Sequence, residues 1–420
     1  MTSSEAIAYI ENFTWSTSKM GLERTVELLA AMGDPQKKLK FVHITGSNGK
    51  GSTCAMVASV LRAAGFKTGL FTSPHVCDFY ERIQINGTGI PAGRLSEITE
   101  AVAKIADAMD DHPSQFELIT AIAMEYFYRE HCDLVVLEVG MGGALDSTNV
   151  IPAPLVAAFT NIALEHTEYL GNTLQEIAAT KAGIIKPGCS VVCYDSAPEA
   201  VDTIRRICSE KNVPFTLAGD EAVHIRSSIR EQVFSYGDRE YTLSLLGRHQ
   251  LRNAVVALKI IGLLTDAGYA IGEEQIRAGL RDTFWPARFE VLREDPVFIL
   301  DGGHNPQCAG ALIRTLDEVL PGQKVWFLTG VLADKDYAQI ADLIAPYALG
   351  AVCVTPDSPR ALNASDYVKE FTARGVKAQA ADSVKEGIAC VMRYAGCEPV
   401  VAFGSLYMAG EIRKNVLSGD

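Results

Sequence analysis

Thr45-Gly46-Ser47-Asn48-Gly49-Lys50-Gly51-Ser52 stands between a short apolar run, 41–45, and a segment whose helical periodicity continues through Leu61. Glycines let backbone N–H groups close around phosphate oxygens, and the start of a helix adds a favourable dipole. Lys50 offers a point charge for outer phosphates, and Ser52 or Thr53 an oxygen near a metal. The spacing departs from Gly-x-x-x-x-Gly-Lys-Ser/Thr, because Gly46 lies three residues before Gly49 and Gly51 follows the lysine. A glycine turn with no nucleotide is the bland alternative. The strand–loop–helix setting favours a phosphate site.

Outward from this loop the chain alternates strand-sized and helix-sized segments. Residues 22–32 read as an amphipathic helix with Leu22, Val26, Leu29 and Met32 on one face and Gly33 as its stop. Strands are expected at 41–45, 68–72, 134–137, 155–160 and 190–194, and a second series at 297–300, 325–328, 351–354 and 399–403. Alternation at this spacing implies parallel sheets covered on both faces. Segment 284–290, Phe-Trp-Pro-Ala-Arg-Phe-Glu, is the candidate hinge between the two series.

In such sheets ligands gather at the carboxyl ends of strands. Thr72-Ser73-Pro74-His75, Glu138 with Gly140-Met141-Gly142-Gly143, and Glu165-His166 all follow predicted strands. A carboxylate such as Glu138 capping a buried strand is costly unless a cation or donors compensate it, and Mg²⁺ bridging phosphate oxygens would do so. His43 and His224 read as structural; for His166, spacing alone leaves structural and ligand roles equally open.

Composition narrows the classes. Hydrophobic residues make up 48% and charged residues 21% of 420, ordinary for a globular protein of two or three domains. A net charge of −13 argues against a nucleic-acid coat but leaves room for a local cationic pocket. No signal peptide or membrane-length apolar run is visible, so a cytoplasmic protein is expected. Ten cysteines without a Cys-x-x-Cys pair, among them Cys54, Cys353 and Cys390 in apolar surroundings, read as small buried hydrophobes.

The phosphate loop, Ser73-Pro74-His75, Glu81-Arg82-Ile83 and Leu137 to Gly143 with Asp146-Ser147-Thr148-Asn149 together resemble the folylpolyglutamate synthase and dihydrofolate synthase family of Mur-type ligases. His166 to Gly171, Lys181-Ala182-Gly183-Ile184, Asn253-Ala254, Arg288-Phe289-Glu290, Asp301 to Pro306, Asp334-Lys335-Asp336 and Gly404-Ser405 extend the likeness, in order, across nearly the whole chain. The resemblance implies an α/β fold. Its N-terminal part, 1–287, would be a P-loop-type parallel-sheet ATPase domain, and 288–420 a smaller Rossmann-like domain that handles glutamate.

It also implies a site. Ser47, Asn48, Gly49, Lys50, Gly51 and Ser52 would hold ATP phosphates, with Asn253, Arg288 and Asp301 completing the nucleotide site. Ser73, Glu138, His166 and a carbamylated Lys181 would hold two Mg²⁺. Lys19, Met20, Gly21, Ser114, Gln115, Phe116, Glu117, Leu145, Asp146 and Ser147 match the folate or pteroate side. His304 and Ser405 match positions for the incoming glutamate, and Lys50, Lys181, Arg288 and His304 those that serve the chemistry. The implied partners are small molecules (ATP, a folate or dihydropteroate, L-glutamate) acting on a monomer.

Four departures stand out: Ser47 for Thr, Glu165 for Asp, Gly303 for Ala, and Ala144 where many relatives carry Arg. The last bears on dihydropteroate, which becomes the poorer expected substrate. Two other readings compete. A ligase of cell-wall precursors would carry a further domain before the loop, where 44 residues stand. The other is a nucleotide switch or transport ATPase that ligates nothing; a switch that reads guanine needs Asn-Lys-x-Asp, the chain has no Asn-Lys pair, and a switch gives no role to a full second α/β domain.

Overall fold

The computed structural model describes residues 1–13 and 21–418, so the Lys19 and Met20 expectations lie outside the described residues. The first sheet has eight strands: β1 (Phe41–Thr45), β2 (Thr68–Phe71), β3 (Ile83–Ile85), β4 (Thr88–Gly89), β5 (Leu134–Glu138), β6 (Val156–Phe159), β7 (Ser190–Tyr194) and β8 (Phe215–Ala218). Their order is β4-β3-β2-β5-β1-β6-β7-β8. All pair in parallel except β3, which runs antiparallel to both β2 and β4.

Strands covered on both sides need apolar residues at every position, and β1 and β5 are buried throughout. Successive side chains still part company: Val42 and Ile44 join the core under the helices Lys50–Ala63 and Arg248–Asp266, whereas Phe41 joins the core under Gln115–Arg129. β1 lies between β5 and β6, where the strand order turns outward in both directions. The carboxyl ends of β2, β5, β1 and β6 therefore stand side by side, as parallel pairing requires.

The chain from Phe284 to Phe289 leads into a six-stranded sheet of β12 (Glu290–Glu294), β13 (Val297–Asp301), β14 (Val325–Thr329), β15 (Ala348–Cys353), β16 (Ala378–Ala380) and β17 (Val400–Phe403). The order is β12-β13-β17-β14-β15-β16, parallel except for β12. The nine expected strands are all present, within a few residues at their ends. Outside those expectations lies a three-stranded antiparallel sheet of β9 (Ala222–Ser227), β10 (Gln232–Tyr236) and β11 (Arg239–Leu243). Its edge strand holds Val223 63% exposed, so apolar residues there point outward and the alternation gives no usable signal.

One expected face is corrected. The helix Glu23–Ala31 buries Arg24, Thr25, Leu28 and Leu29, and leaves Val26 half exposed. The reason is electrostatic. Arg24 Nε donates to both oxygens of Glu117, at 3.0 and 3.2 Å, where the two side chains are 9% and 3% exposed. Thr25 Oγ1 donates to the same carboxylate at 3.3 Å. A hydrophobicity pattern cannot reveal a helix whose inner face is an ion pair.

No helix among the described residues is long and apolar enough to cross a membrane. All ten cysteines are free thiols, and Cys54, Cys353 and Cys390 are buried. His43 is fully buried in β1, and His224 bonds Ser227 Oγ through Nε2 at 2.7 Å.

Removing one member of a buried ion pair leaves the other charge inadequately compensated, at about 3–5 kcal/mol. Glu117→Ala is expected to lower the urea midpoint by a free energy in that range, measured by circular dichroism. An unchanged midpoint would show that water replaces the carboxylate at no cost.

Candidate functional site

The loop after β1 takes its shape from two close approaches. Gly49 sits at φ 90, before the helix Lys50–Ala63, and a Cβ there would meet Asn253 Oδ1 at 2.6 Å. Only glycine adopts that backbone conformation without strain. A Cβ on Gly46 would fall 1.9 Å from Thr160 Oγ1. Ser47 N–H donates to Asn161 O at 2.7 Å, and its hydroxyl donates to Ala163 O at 3.0 Å. The loop is thus tied to the end of β6. Lys50 Nζ curls over it, donating to Gly46 O at 2.9 Å. Asn253 donates to Gln250 Oε1 at 3.0 Å, and Gln250 donates to Ser52 Oγ at 3.2 Å. The helix Arg248–Asp266 is in this way registered on the loop.

Glu138 ends β5 beside this loop. Burial pushes its carboxyl up to about 7, against the pull of Lys50, of the Ser73 N–H at 3.0 Å and of Arg288. A buried carboxylate held by one backbone donor, that of Ser73, fits a hard cation that takes oxygen ligands. Among the described residues no three His, Cys, Asp or Glu side chains gather at metal-binding spacing. The donor set suits an ion that takes most of its oxygens from phosphate and water, as Mg²⁺ does.

Lys181 ends the helix Leu174–Lys181 and is 1% exposed. Its Nζ donates to Glu165 Oε1 at 2.8 Å and to Gly46 O at 3.0 Å. Burial lowers the amine to about 8, opposed by Glu165. In this state Lys181 is a counter-charge to Glu165 and braces the phosphate loop. His166 takes φ 44 at the head of the helix Thr167–Leu170; desolvation lowers its imidazole against the opposing Glu165, and Lys50, Lys181 and Lys335 lower it further.

The second sheet faces these groups. Arg288 lies between Ala287 and Phe289, both left-handed at φ 52 and 47. Backbone outliers of this kind persist only where the surroundings hold them. Here Ala287 N–H donates to Glu290 Oε2 at 3.0 Å, Gly302 N–H to Ala287 O at 2.8 Å and Phe289 N–H to Asp301 Oδ2 at 3.0 Å. Asp301, at the end of β13, is raised by burial against the opposing Arg288. His304 follows on the same turn, its Nδ1 3.2 Å from Gly302 O, and burial lowers it. Ser405 is buried beyond β17 and accepts Tyr407 N–H at 3.2 Å. Asn48 donates across to Gln307 Oε1 at 2.7 Å, a contact not foreseen from the sequence.

The folate-side expectations divide. Ser114 and Glu117 form a capping box at the start of the helix Gln115–Arg129, so Glu117 is occupied by Ser114 N–H and Arg24. Phe116 lies over Gly140, where a Cβ would meet its ring at 2.6 Å. Asp146 and Ser147 are buried, and Leu145 is 51% exposed. Gln115 N–H donates to Phe13 O at 2.7 Å, and Gly21 follows the undescribed 14–20. Ala144 lies against Gly183, where a Cβ would fall 2.3 Å from its Cα.

Two departures have local causes. A Cβ at Gly303 would meet Cys308 Cβ and Phe403 at 2.7 Å, so alanine does not fit without a shift. Glu165 reaches the buried amine of Lys181. Trp285, at the hinge, covers Gly51 with its ring and lines a cavity of about 610 Å³ with Tyr80, Pro74 and Arg413. No motif pointed to Trp285 or Gln307; their places depend on how the two sheets meet.

Residues 44–261 match the Mur ligase middle domain, and 287–406 the glutamate ligase domain of Mur ligases. The chain is 34% identical to a folylpolyglutamate synthase of Lacticaseibacillus casei, each covered over 100% of its length. It is also 34% identical to a dihydrofolate synthase/folylpolyglutamate synthase of Bacillus subtilis, with 95% of each covered. Its structure superposes on Mycobacterium tuberculosis folylpolyglutamate synthase complexed with ADP and AMPPCP, with a TM-score of 0.88 at 29% identity over 100% of this chain and 99% of that one. A folylpolyglutamate synthase–AMPPCP–folate complex matches with a TM-score of 0.84 at 31% identity, over 99% and 100%. With both Mur-ligase domains matched and whole-length relatives at this identity, the chain belongs to the folylpolyglutamate synthase/dihydrofolate synthase family of Mur-type ligases.

Proposed function

We propose that the chain is an ATP-dependent ligase that joins L-glutamate to the γ-carboxylate of a tetrahydrofolate through an acyl phosphate. Residues 1–287 form its ATP-binding unit and 288–420 its glutamate unit. The observation that carries this reading is the buried Glu138 closing β5, with Ser73 N–H on it at 3.0 Å and the charges of Lys50 from the phosphate loop and Arg288 from the hinge acting on it.

The folate carboxylate attacks the γ-phosphorus of ATP, the bond to the bridging oxygen breaks, and ADP leaves. Lys50 and Arg288 offset charge on the transferring group. Ser47 to Ser52, Asn253 and Asp301 orient the nucleotide. Ser73, Glu138 and His166 would hold Mg²⁺, which when bound neutralises phosphate charge. The amine of glutamate, having lost a proton, then attacks the acyl carbon; the C–O bond to phosphate breaks, the second amine proton leaves with the phosphate, and an amide remains. The Gly302 carbonyl accepts only, so His304 carries its proton on Nδ1 and leaves Nε2 free to take the ammonium proton. Ser405 orients the amino acid from the adjacent strand end. The folate lies along Phe116, Leu145, Asp146 and Ser147. The enzyme acts in the cytoplasm as a monomer.

Lys181 enters this scheme as a carbamate on the likeness of its Lys-Ala-Gly-Ile motif. Burial favours the neutral amine that CO₂ requires. Loss of one proton gives that amine and N–C bond formation releases a second, so a cation becomes a carboxylate that suits Mg²⁺. Glu165 must then release it, since two anions at 2.8 Å repel.

Purified protein with ATP, glutamate and tetrahydrofolate is expected to give the glutamylated folate, ADP and phosphate, identified by product mass. Dihydropteroate is expected to be the poorer acceptor, with Ala144→Arg narrowing the gap. Release of AMP and pyrophosphate would overturn the acyl-phosphate route.

Lys50→Ala is expected to lower kcat by at least a hundredfold, the scale set by loss of a preorganised charge at a transferring group, with an unchanged melting temperature. Turnover within a few-fold of the parent would remove Lys50 from the chemistry. Lys181→Ala should likewise lose ligation, with partial return on adding a short carboxylic acid. Mass spectrometry after trapping should find the CO₂ adduct on Lys181, and a bare amine under saturating CO₂ and Mg²⁺ would rule it out.

A further inference from the structure

We infer that His43 is a positioning residue for the folate side of the site, acting through Thr148 on Asp146 and the loop that Asp146 holds. The inference rests on the ligase reading above. His43 lies within β1 and has no exposed surface. Its Nε2 stands 2.8 Å from Thr148 Oγ1, and the Thr148 hydroxyl donates to Asp146 Oδ1 at 2.5 Å. The directions of these bonds are decided by elimination. Burial raises the Asp146 carboxyl against these donors, but with Thr148 N–H on Oδ1 and Met141 N–H on Oδ2 both oxygens act as acceptors, so Thr148 spends its single proton on Asp146. The Thr148 oxygen can then only accept from the ring, which places the imidazole proton on Nε2.

The other ring nitrogen bears this out. His43 Nδ1 is buried with no partner among the described residues. A bare lone pair there costs less than a stranded N–H, as the Nε2–H tautomer requires. Burial also holds the ring neutral, pushing it down to about 3 with Lys186 adding to the shift.

The relay ends on a loop rather than in solvent. Thr148 N–H donates to the same Asp146 oxygen at 3.0 Å, and Met141 N–H donates to the other at 2.9 Å. Asp146 therefore ties the chain leaving β5 to the turn Ser147–Val150. Asn149 extends the strap, donating to Ala144 O at 3.1 Å and Gly183 O at 3.2 Å. A residue in the middle of the sheet thus sets the height of the segment that presents Leu145, Asp146 and Ser147. The phosphate loop has its own ties to Asn161 and Ala163, so the relay bears on one substrate more than on another.

The experiment compares His43→Leu, which removes the donor, with His43→Gln, whose side-chain amide can still reach Thr148. Steady-state kinetics are measured with ATP, glutamate and tetrahydrofolate, and folding is checked by thermal melts. His43→Leu is expected to raise KM for the folate about tenfold, the loss of one buried hydrogen bond, with KM for ATP within twofold. His43→Gln is expected to restore most of the difference, which a purely packing role would not. Should the leucine variant fail to fold, Thr148→Val breaks the same relay at nearly constant volume and is expected to give the same split. Folate KM unchanged in a folded variant, an equal rise for ATP, or no recovery with glutamine would overturn the inference. If the parent protein makes no glutamylated product, the ligase reading fails instead.

Discussion

A charge buried at the end of a central strand organises this molecule. Glu138 closes the apolar strand β5, where burial alone would favour a neutral acid near pH 7. Lys50, Arg288 and the Ser73 N–H oppose that cost from three directions, and each comes from a different stretch of chain. Compensation by opposite charge weakens with distance. The phosphate loop, the turn after β2 and the hinge must therefore all stay close to this carboxylate. The sheet order supplies that closeness, because β2, β5 and β1 are adjacent and parallel.

The hinge is where the second unit is brought to account. Ala287 and Phe289 occupy a backbone region that side chains disfavour, and they hold Arg288 between them. Their strain is offset by hydrogen bonds to Glu290, Gly302 and Asp301, the last of which shares the strand end with His304. Strain at such a point aims a cation across the cleft. The Asn48–Gln307 bond adds a direct link between the phosphate loop and the helix Pro306–Val319.

Around this centre, close backbone approach does what larger side chains would prevent. The 140–144 loop lies on the 181–183 turn so tightly that a Cβ on Gly143 would meet Lys181 O at 2.5 Å. Lys181 is delivered into the site by that contact, and the Asp146–Asn149 strap holds both loops from behind. The Arg24–Glu117 pair performs a comparable task farther out, fixing the helix that carries Phe116 against the one that follows residue 21.

The sequence alone determined the series of strands, the phosphate loop and the family motifs. These are written locally: apolar runs of strand length, glycine next to lysine, a carboxylate at the end of a valine-rich run. Glu138 and Lys50 were legible from their own setting, a carboxylate ending an apolar run and a lysine in a glycine loop, whereas His304 was marked only by the family likeness. What stayed hidden needed distance information. Val26 was assigned inward because a period cannot register that Arg24 finds Glu117 across 93 positions. The β9–β11 sheet escaped because its alternation runs against burial, and Trp285 and Gln307 because their roles exist only where two units meet. Lys181 shows the division most sharply. Its motif marked it, but only the tertiary structure put its amine against Glu165 and Gly46, since an ion pair between distant segments is chosen by packing and desolvation, not by neighbours in the chain.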